Sequence, residues 1–510
     1  MLRLDHAYTI YRRLSVNKAI GILVCGLAIG CTGAEQQGEG PALADAGSGV
    51  RGGVGDTRIG TIELVGGYAT EATAAKLREE LKFQAAVQTF LWSFPLANVM
   101  GLRDGHRAVG IKNTTIPIFE DYLTPKTVVP TGNQSTVYAY NVLTLGTEPM
   151  VLEVIPDVVG FIGDAWQRPQ GDLGRPGPDR GKGGKFLLVP PGYEDALPTE
   201  GYYVVPCATF NVFWLVRAFL KDGDNKAAAE SLKDMKLYPL SNPDAPQHYV
   251  NASESPAYCI PPRGLEYWEL VAKGLNEETV QSHDRAMMGM ASMIGIEKGK
   301  PFEPDAATQA LLIEAEKVAF AMNTTLSFKS EVPGAIVYPD RQWEFCFLTQ
   351  SPSFDAEHRL ELYERAAFSH QAMTGAFAMV LQLRGKGSKY IFTSRDATGA
   401  HLNGSHSYTL NIPANVPAKD FWSVCVYDAT TRSLLDTGRP KSAVNSYTDL
   451  PVNADGSVDV YFGPTPPPSG GTGWIKTKPD VGFFMYFRFY GPLEPFYDKS
   501  WKLNDVVKVN

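Results

Sequence analysis

The sequence predicts a β-dominated α+β protein: two β-sandwich or jelly-roll-like domains joined by a mainly helical middle segment. Three observations lead there. Residues 407–412, 421–427 and 483–490 alternate side chains between two faces with the period of a strand. Short apolar, strand-like runs recur over 136–145, 149–155, 185–189 and 202–206. Between these two blocks, residues 263–275, 304–325 and 356–370 carry helical spacing.

The chain has 510 residues, enough for two or three domains that each bury a full core. Its first 30 residues read as a lipoprotein signal peptide. Arg12, Arg13 and Lys18 form a basic region, and residues 19–30 form an apolar run too short to remain across a bilayer. Ala28, Ile29 and Gly30 then lead to Cys31, the spacing of a lipidation site. An uncleaved N-terminal membrane anchor is the competing reading. The expectation is a lipid-anchored protein of the bacterial cell envelope, outer membrane by the Thr32 that follows Cys31, touching membrane only through acyl chains on that sulfur.

The formal net charge is −8. Loss of residues 1–30 removes four basic residues (Arg3, Arg12, Arg13, Lys18) and one acid (Asp5), which leaves the remainder near −11. That sign argues against nucleic acid as a partner.

Residues 31–58 are Gly-rich and nearly free of large apolar side chains, the composition of a flexible tether. Residues 59–250 form the expected N-terminal β-rich domain with a leading helix. That helix is placed over 69–101, with Leu77, Leu81, Ala85 and Leu91 on one face and Phe83, Val87, Phe90 and Phe94 widening it; Pro95 should end or kink it. Residues 168–184, rich in Pro and Gly, read as a long loop, a candidate lid. Residues 226–236 read as a helix. Residues 251–385 form the expected helical connector, in which Asp305 caps the helix that carries Leu311, Leu312 and Ala315. Residues 386–510 form the C-terminal sandwich, with Asp455-Gly456 as hairpin turn chemistry.

Of six cysteines, Cys25 would leave with the signal and Cys31 would carry lipid. Cys346 and Cys425 sit in apolar strand-like runs and read as buried free thiols.

The C-terminal block resembles a family of proteins with a domain of unknown function numbered 1214. The motifs that carry the resemblance are Asp396, Gly399, Leu402, Gly404 and Tyr408; Phe421, Trp422, Ser423, Tyr427 and Asp428; Asp455, Gly456 and Ser457; and Arg488, Tyr490, Gly491, Pro492 and Trp501. They span about residues 354–508. About residues 78–240 resemble the companion family numbered 1254, through segments that include Asn133 to Tyr138. The family usually reads N-x-D-T-x-Y there, whereas this chain has Ser135 at the position of the acid. The resemblance implies tandem β-rich domains and no established reaction.

Known catalytic signatures are sparse. No G-x-S-x-G elbow and no H-E-x-x-H occurs, and residues 105–112 only approach a phosphate-binding loop. His401, His406 and Asp396 are the right ligand types for zinc or iron, though Gly399 and Gly404 also explain them as solvent-facing turn residues. Arg365 and His370 share the 356–370 helix and could act in a cleft or serve as buried structural partners. Asn133, Thr136 and Tyr138, with Arg488 as an anion anchor and Trp474 in a Gly-rich loop, are the candidate ligand-binding residues. No cofactor is expected. The favoured expectation is a ligand-binding or structural envelope module with a small molecule or glycan as ligand. The alternative is an enzyme acting at the cleft between the two β domains. Self-association stays open.

Overall fold

The computed structural model describes residues 54–220, 224–439, 441–468 and 470–509. The expected signal peptide, Cys31 and residues 31–53 of the tether lie outside the described residues. Among the described residues, no helix is long and apolar enough to cross a membrane.

Residues 54–75 belong to a separate small unit. Its three strands, Val54–Thr57, Gly60–Val65 and Tyr68–Ala69, form an antiparallel meander. Residues 54–57, read as the end of the tether, therefore pair as a strand.

The rest of the chain is β-dominated α+β, and each half of its β-structure is a two-sheet sandwich. In the N-terminal sandwich, an inner six-stranded sheet runs in the order His248–Asn251, Thr115–Ile118, Val137–Thr144, Asn211–Ala218, Val158–Gly163 and Pro169–Gly174. The outer sheet comprises Tyr203–Pro206, Gly184–Val189, Met150–Val154 and Lys236–Pro239. In the C-terminal sandwich, the inner sheet runs Glu344–Phe345, Ser388–Thr393, Phe483–Pro492, Ala418–Asp428 and Ala443–Asn445. Its outer sheet comprises Trp474–Lys476, Val458–Gly463, Ser407–Ile412 and Val507–Val509.

The side-chain alternation explains the stacking. Along Val137–Thr144, Val137, Ala139 and Leu143 face the outer N-terminal sheet, whereas Tyr138, Tyr140 and Val142 face the other way. Along Phe483–Pro492, Phe483, Met485, Phe487 and Phe489 pack into the C-terminal sandwich, whereas Phe484 and Tyr486 face outward from it. Those two outward faces share one apolar cluster that includes Tyr140, Phe161, Phe213, Phe392, Tyr427 and Tyr486. The two inner sheets are therefore buried on both faces, which is why their strands read as near-continuous apolar runs.

Helices Leu265–Glu277, Arg285–Met293 and Ala306–Phe328 pack with the long helix Glu71–Ala108 in a separate core. Asp305 caps its helix by accepting from the Thr308 amide at 2.8 Å. Leu312 and Ala315 are buried on the inward face, and Leu311 packs partly against it.

Four expectations are corrected. The helix placed over 69–101, with Pro95 expected to end or kink it, runs through Pro95 from Glu71 to Ala108. A proline inside a helix costs about 3 kcal/mol, and the nearly continuous burial of residues 85–102 holds the helix together regardless. Leu81, placed on the buried face, is 54% exposed because the helix enters the core only from Ala85 onward. The loop expected over 168–184 contains the strand Pro169–Gly174, paired antiparallel with Val158–Gly163. Pro169 is tolerated there because it opens an edge strand. The helix read over 226–236 ends at Leu232, and Lys236–Pro239 turns into an outer-sheet strand.

Candidate functional site

A cavity of about 140 Å³ lies between the two inner sheets. The sequence builds it by the same alternation that stacks the layers. From the N-terminal side come Tyr138 and Tyr140 on one strand, Phe161 on a second, and Phe213, Leu215 and Arg217 at every other position of a third. From the C-terminal side come Ser388 and Tyr390, then Tyr486 and Arg488. The loop 129–133 and residues 368–379, at and beyond the end of the Leu362–Gln371 helix, close the rest.

The walls are mostly apolar and carry a small set of polar groups. Arg488 is 4% exposed. Its Nη2 donates to the Thr131 carbonyl at 2.9 Å, and its Nη1 has no hydrogen-bond partner. The guanidinium carbon lies 5.3 Å from the Tyr486 ring centre, 5.6 Å from that of Tyr427 and 5.8 Å from that of Tyr390. Arg217 donates to Ser388 Oγ at 3.1 Å and stands 4.9 Å from the Tyr490 ring. Asn133 Nδ2 donates to both Tyr490 (2.6 Å) and Tyr138 (3.0 Å) hydroxyls. Tyr486 donates to Gln371 Oε1 at 2.7 Å, while the buried Tyr140 hydroxyl has no partner.

Burial holds the Tyr140, Tyr390 and Tyr486 phenols above their usual range, so they stay neutral donors. Cys346 also lines the cavity, and burial pushes its thiol up to about 11. Cys346 and Cys425 are both buried free thiols, as are Cys207 and Cys259. No carboxylate and no imidazole is among the described lining residues, whereas two guanidiniums are.

Asn133, Tyr138 and Arg488, candidates drawn from opposite ends of the sequence, thus meet at one cavity. The remaining candidates lie elsewhere. Thr136 donates to the Ala218 carbonyl at 2.9 Å and serves the sheet. Trp474 belongs to the outer C-terminal sheet, with its indole donating to the Gly463 carbonyl at 3.0 Å and Arg439 over its ring. Ser135, at the position of the family's acid, is buried with its hydroxyl unpartnered.

Arg365 and His370 are buried in the helical region. Arg365 Nη2 donates to the Trp92 carbonyl at 2.9 Å beside the ion pair of Arg168 and Asp284, and burial lowers its guanidinium to about 9. His370 sits among Phe94, Phe320 and Phe328, where burial drives it well below the usual histidine range. Neither lines the cavity. Asp396 spends Oδ1 on the Thr398 and Ala400 amides and the Thr398 hydroxyl, which is turn chemistry. His401 Nδ1 faces the Ser394 carbonyl at 3.3 Å, and the His406 ring centre lies 6.4 Å from that of Tyr408. Among the described residues, no group of three or more His, Cys, Asp or Glu is placed to hold a metal ion.

The reading of the sequence missed Arg217, Tyr140, Tyr390 and Tyr486. The signal for Arg217 was present: a lone arginine within the apolar run 211–218, on a strand with no exposed face. The tyrosines had no such signal, because strand aromatics are ordinarily core.

Two family models match the chain in order. Residues 114–239 match the protein of unknown function family DUF1254, and residues 387–494 match the protein of unknown function family DUF1214. The VPA0106 protein from Vibrio parahaemolyticus has a similar fold, with a TM-score of 0.51, 16% identity, and coverage of 84% of this chain and 100% of that one. An uncharacterised protein from Burkholderia cenocepacia aligns with a TM-score of 0.38 and 12% identity, over 86% of this chain and 96% of that one. No curated protein matches.

Proposed function

We propose that this chain is a small-molecule-binding module of the bacterial cell envelope, held to the membrane by an acyl chain on Cys31, with its ligand seated between the two inner sheets. One observation carries the binding reading. Arg488, almost fully buried, presents an unpartnered guanidinium nitrogen at an apolar cavity. A buried charge without a partner is costly, and a few convergent polar groups in an apolar hollow are what a binding site needs. At about 140 Å³ the cavity takes one ring rather than a chain of sugars; engineered cavities of ~150 Å³ bind benzene. The binding reading is favoured over the enzyme alternative because Arg365 and His370 lie away from the cavity.

The support for the envelope reading is the run from Arg12 to Cys31.

Thermal unfolding with a panel of single-ring compounds tests the site. Compounds that occupy the cavity should raise the midpoint by a few degrees. Ala372→Trp, which fills the cavity, should abolish the rise. Failure of every compound, or equal shifts in both proteins, would reject the site.

A further inference from the structure

Resting on the binding reading, we infer that the cavity's ligand is a small monocarboxylate carrying one ring, its carboxylate on Arg488 and its ring against Phe161 and Phe213.

The charge argument comes first. The cavity presents two guanidiniums, Arg488 and Arg217, and no described carboxylate lines it. Both guanidiniums are almost fully buried, and burying a charge is costly, so an anion in the cavity would supply the opposite charge and an acceptor for Arg488 Nη1.

The number of free donors limits the anion. Arg488 Nη1 and the Tyr140 hydroxyl are the lining side-chain donors buried without a partner among the described residues, while Arg488 Nη2 donates to Thr131, Arg217 Nη1 to Ser388 and Tyr486 to Gln371. A carboxylate has two oxygens and a planar shape that suits a guanidinium. A phosphate or sulfate brings more oxygens and more charge than two open donors satisfy.

The apolar volume then sets the rest of the ligand. Phe161 and Phe213 meet edge to face at 5.3 Å, and Leu215 and Met373 add to the apolar lining. Formate or acetate would leave this surface unfilled. One ring fills a volume of about 140 Å³.

Isothermal titration of the whole protein with benzoate and with its neutral, isosteric amide tests this. The inference expects benzoate to bind at least tenfold more tightly than benzamide. Arg488→Gln should bring the ratio close to one, and Arg488→Lys should keep part of it. If Arg488→Gln does not fold, the wild-type ratio alone decides. Benzamide binding as tightly as benzoate would overturn the carboxylate assignment and leave the binding site standing. Binding of neither, together with no thermal shift from any ring compound, would remove the site itself.

Discussion

Asn133 donates its side-chain amide to the Tyr490 hydroxyl at 2.6 Å across a separation of 357 residues. The same amide reaches Tyr138, and Asn133 Oδ1 accepts from the Ser135 amide at 2.9 Å. One short polar side chain therefore ties the loop of the N-terminal domain to the central strand of the C-terminal inner sheet. Removing either partner strands a buried polar group. Asn133→Ala and Tyr490→Phe should each cost about 1–3 kcal/mol in urea unfolding. The double variant should show a coupling of about 1 kcal/mol, and strictly additive losses would contradict the bond's role.

His106 provides a pH test. Its ring is buried, Nδ1 faces Asn141 Oδ1 at 3.1 Å, and Nε2 has no partner. Burial holds it down to about 4, from an ordinary value of 6.5. The folded protein thus resists a proton that the unfolded chain accepts. The stability from neutral His106 is present above 6.5 and is lost as pH falls from 6.5 toward 4. Between pH 7 and 5 that loss is about 2 kcal/mol. Glu344 works in the opposite direction, since burial raises its carboxyl to about 7 and acidification relieves it. The comparison to make is therefore wild type against His106→Gln. The difference in their unfolding free energies should narrow or reverse on going from pH 7 to 5, and a pH-independent difference would contradict the assignment.

Gly105 lies inside the Glu71–Ala108 helix, where alanine would ordinarily be preferred by about 1 kcal/mol. A Cβ there would stand 2.3 Å from the Tyr258 carbonyl oxygen and 3.0 Å from Cys259 Sγ. Backbone, not a flexible side-chain end, fills the space. Gly105→Ala should destabilise by about 2–3 kcal/mol. A neutral or stabilising result in a denaturant melt would show that the helix and the 258–259 segment can move apart.

Cys31→Ser should release the protein from the membrane fraction and abolish metabolic labelling with a radioactive fatty acid. Each buried methylene of an acyl chain contributes ~0.8 kcal/mol of anchoring, so loss of the chains should be decisive. Unchanged retention, with no label in the wild type, would reject the anchor.

The strands that alternate cleanly were legible: Ser407–Ile412 has one face wet, and its Tyr408, Leu410 and Ile412 are buried as the pattern demands. Strands of the inner sheets were harder. Asn211–Ala218 and Val158–Gly163 have no wet face, so a period-2 pattern of polarity is absent. Pro95 does not end its helix because local propensity is outweighed by burial around it. At the site, Arg488, Asn133 and Tyr138 could be singled out as polar groups in strand and turn contexts. Their meeting could not, because it depends on how two sandwiches stack. Arg365 and His370 looked equally chemical in sequence, and the structure places Arg365 on the Trp92 carbonyl and His370 against Phe320, both away from the cavity.

The most direct test is a crystal structure of the protein soaked in 4-iodobenzoate, read by the anomalous signal of iodine. The account predicts an iodine peak in the cavity against the Phe161 and Phe213 side, with carboxylate density within hydrogen-bonding distance of Arg488 Nη1. An empty cavity in crystals that hold iodine elsewhere would contradict it.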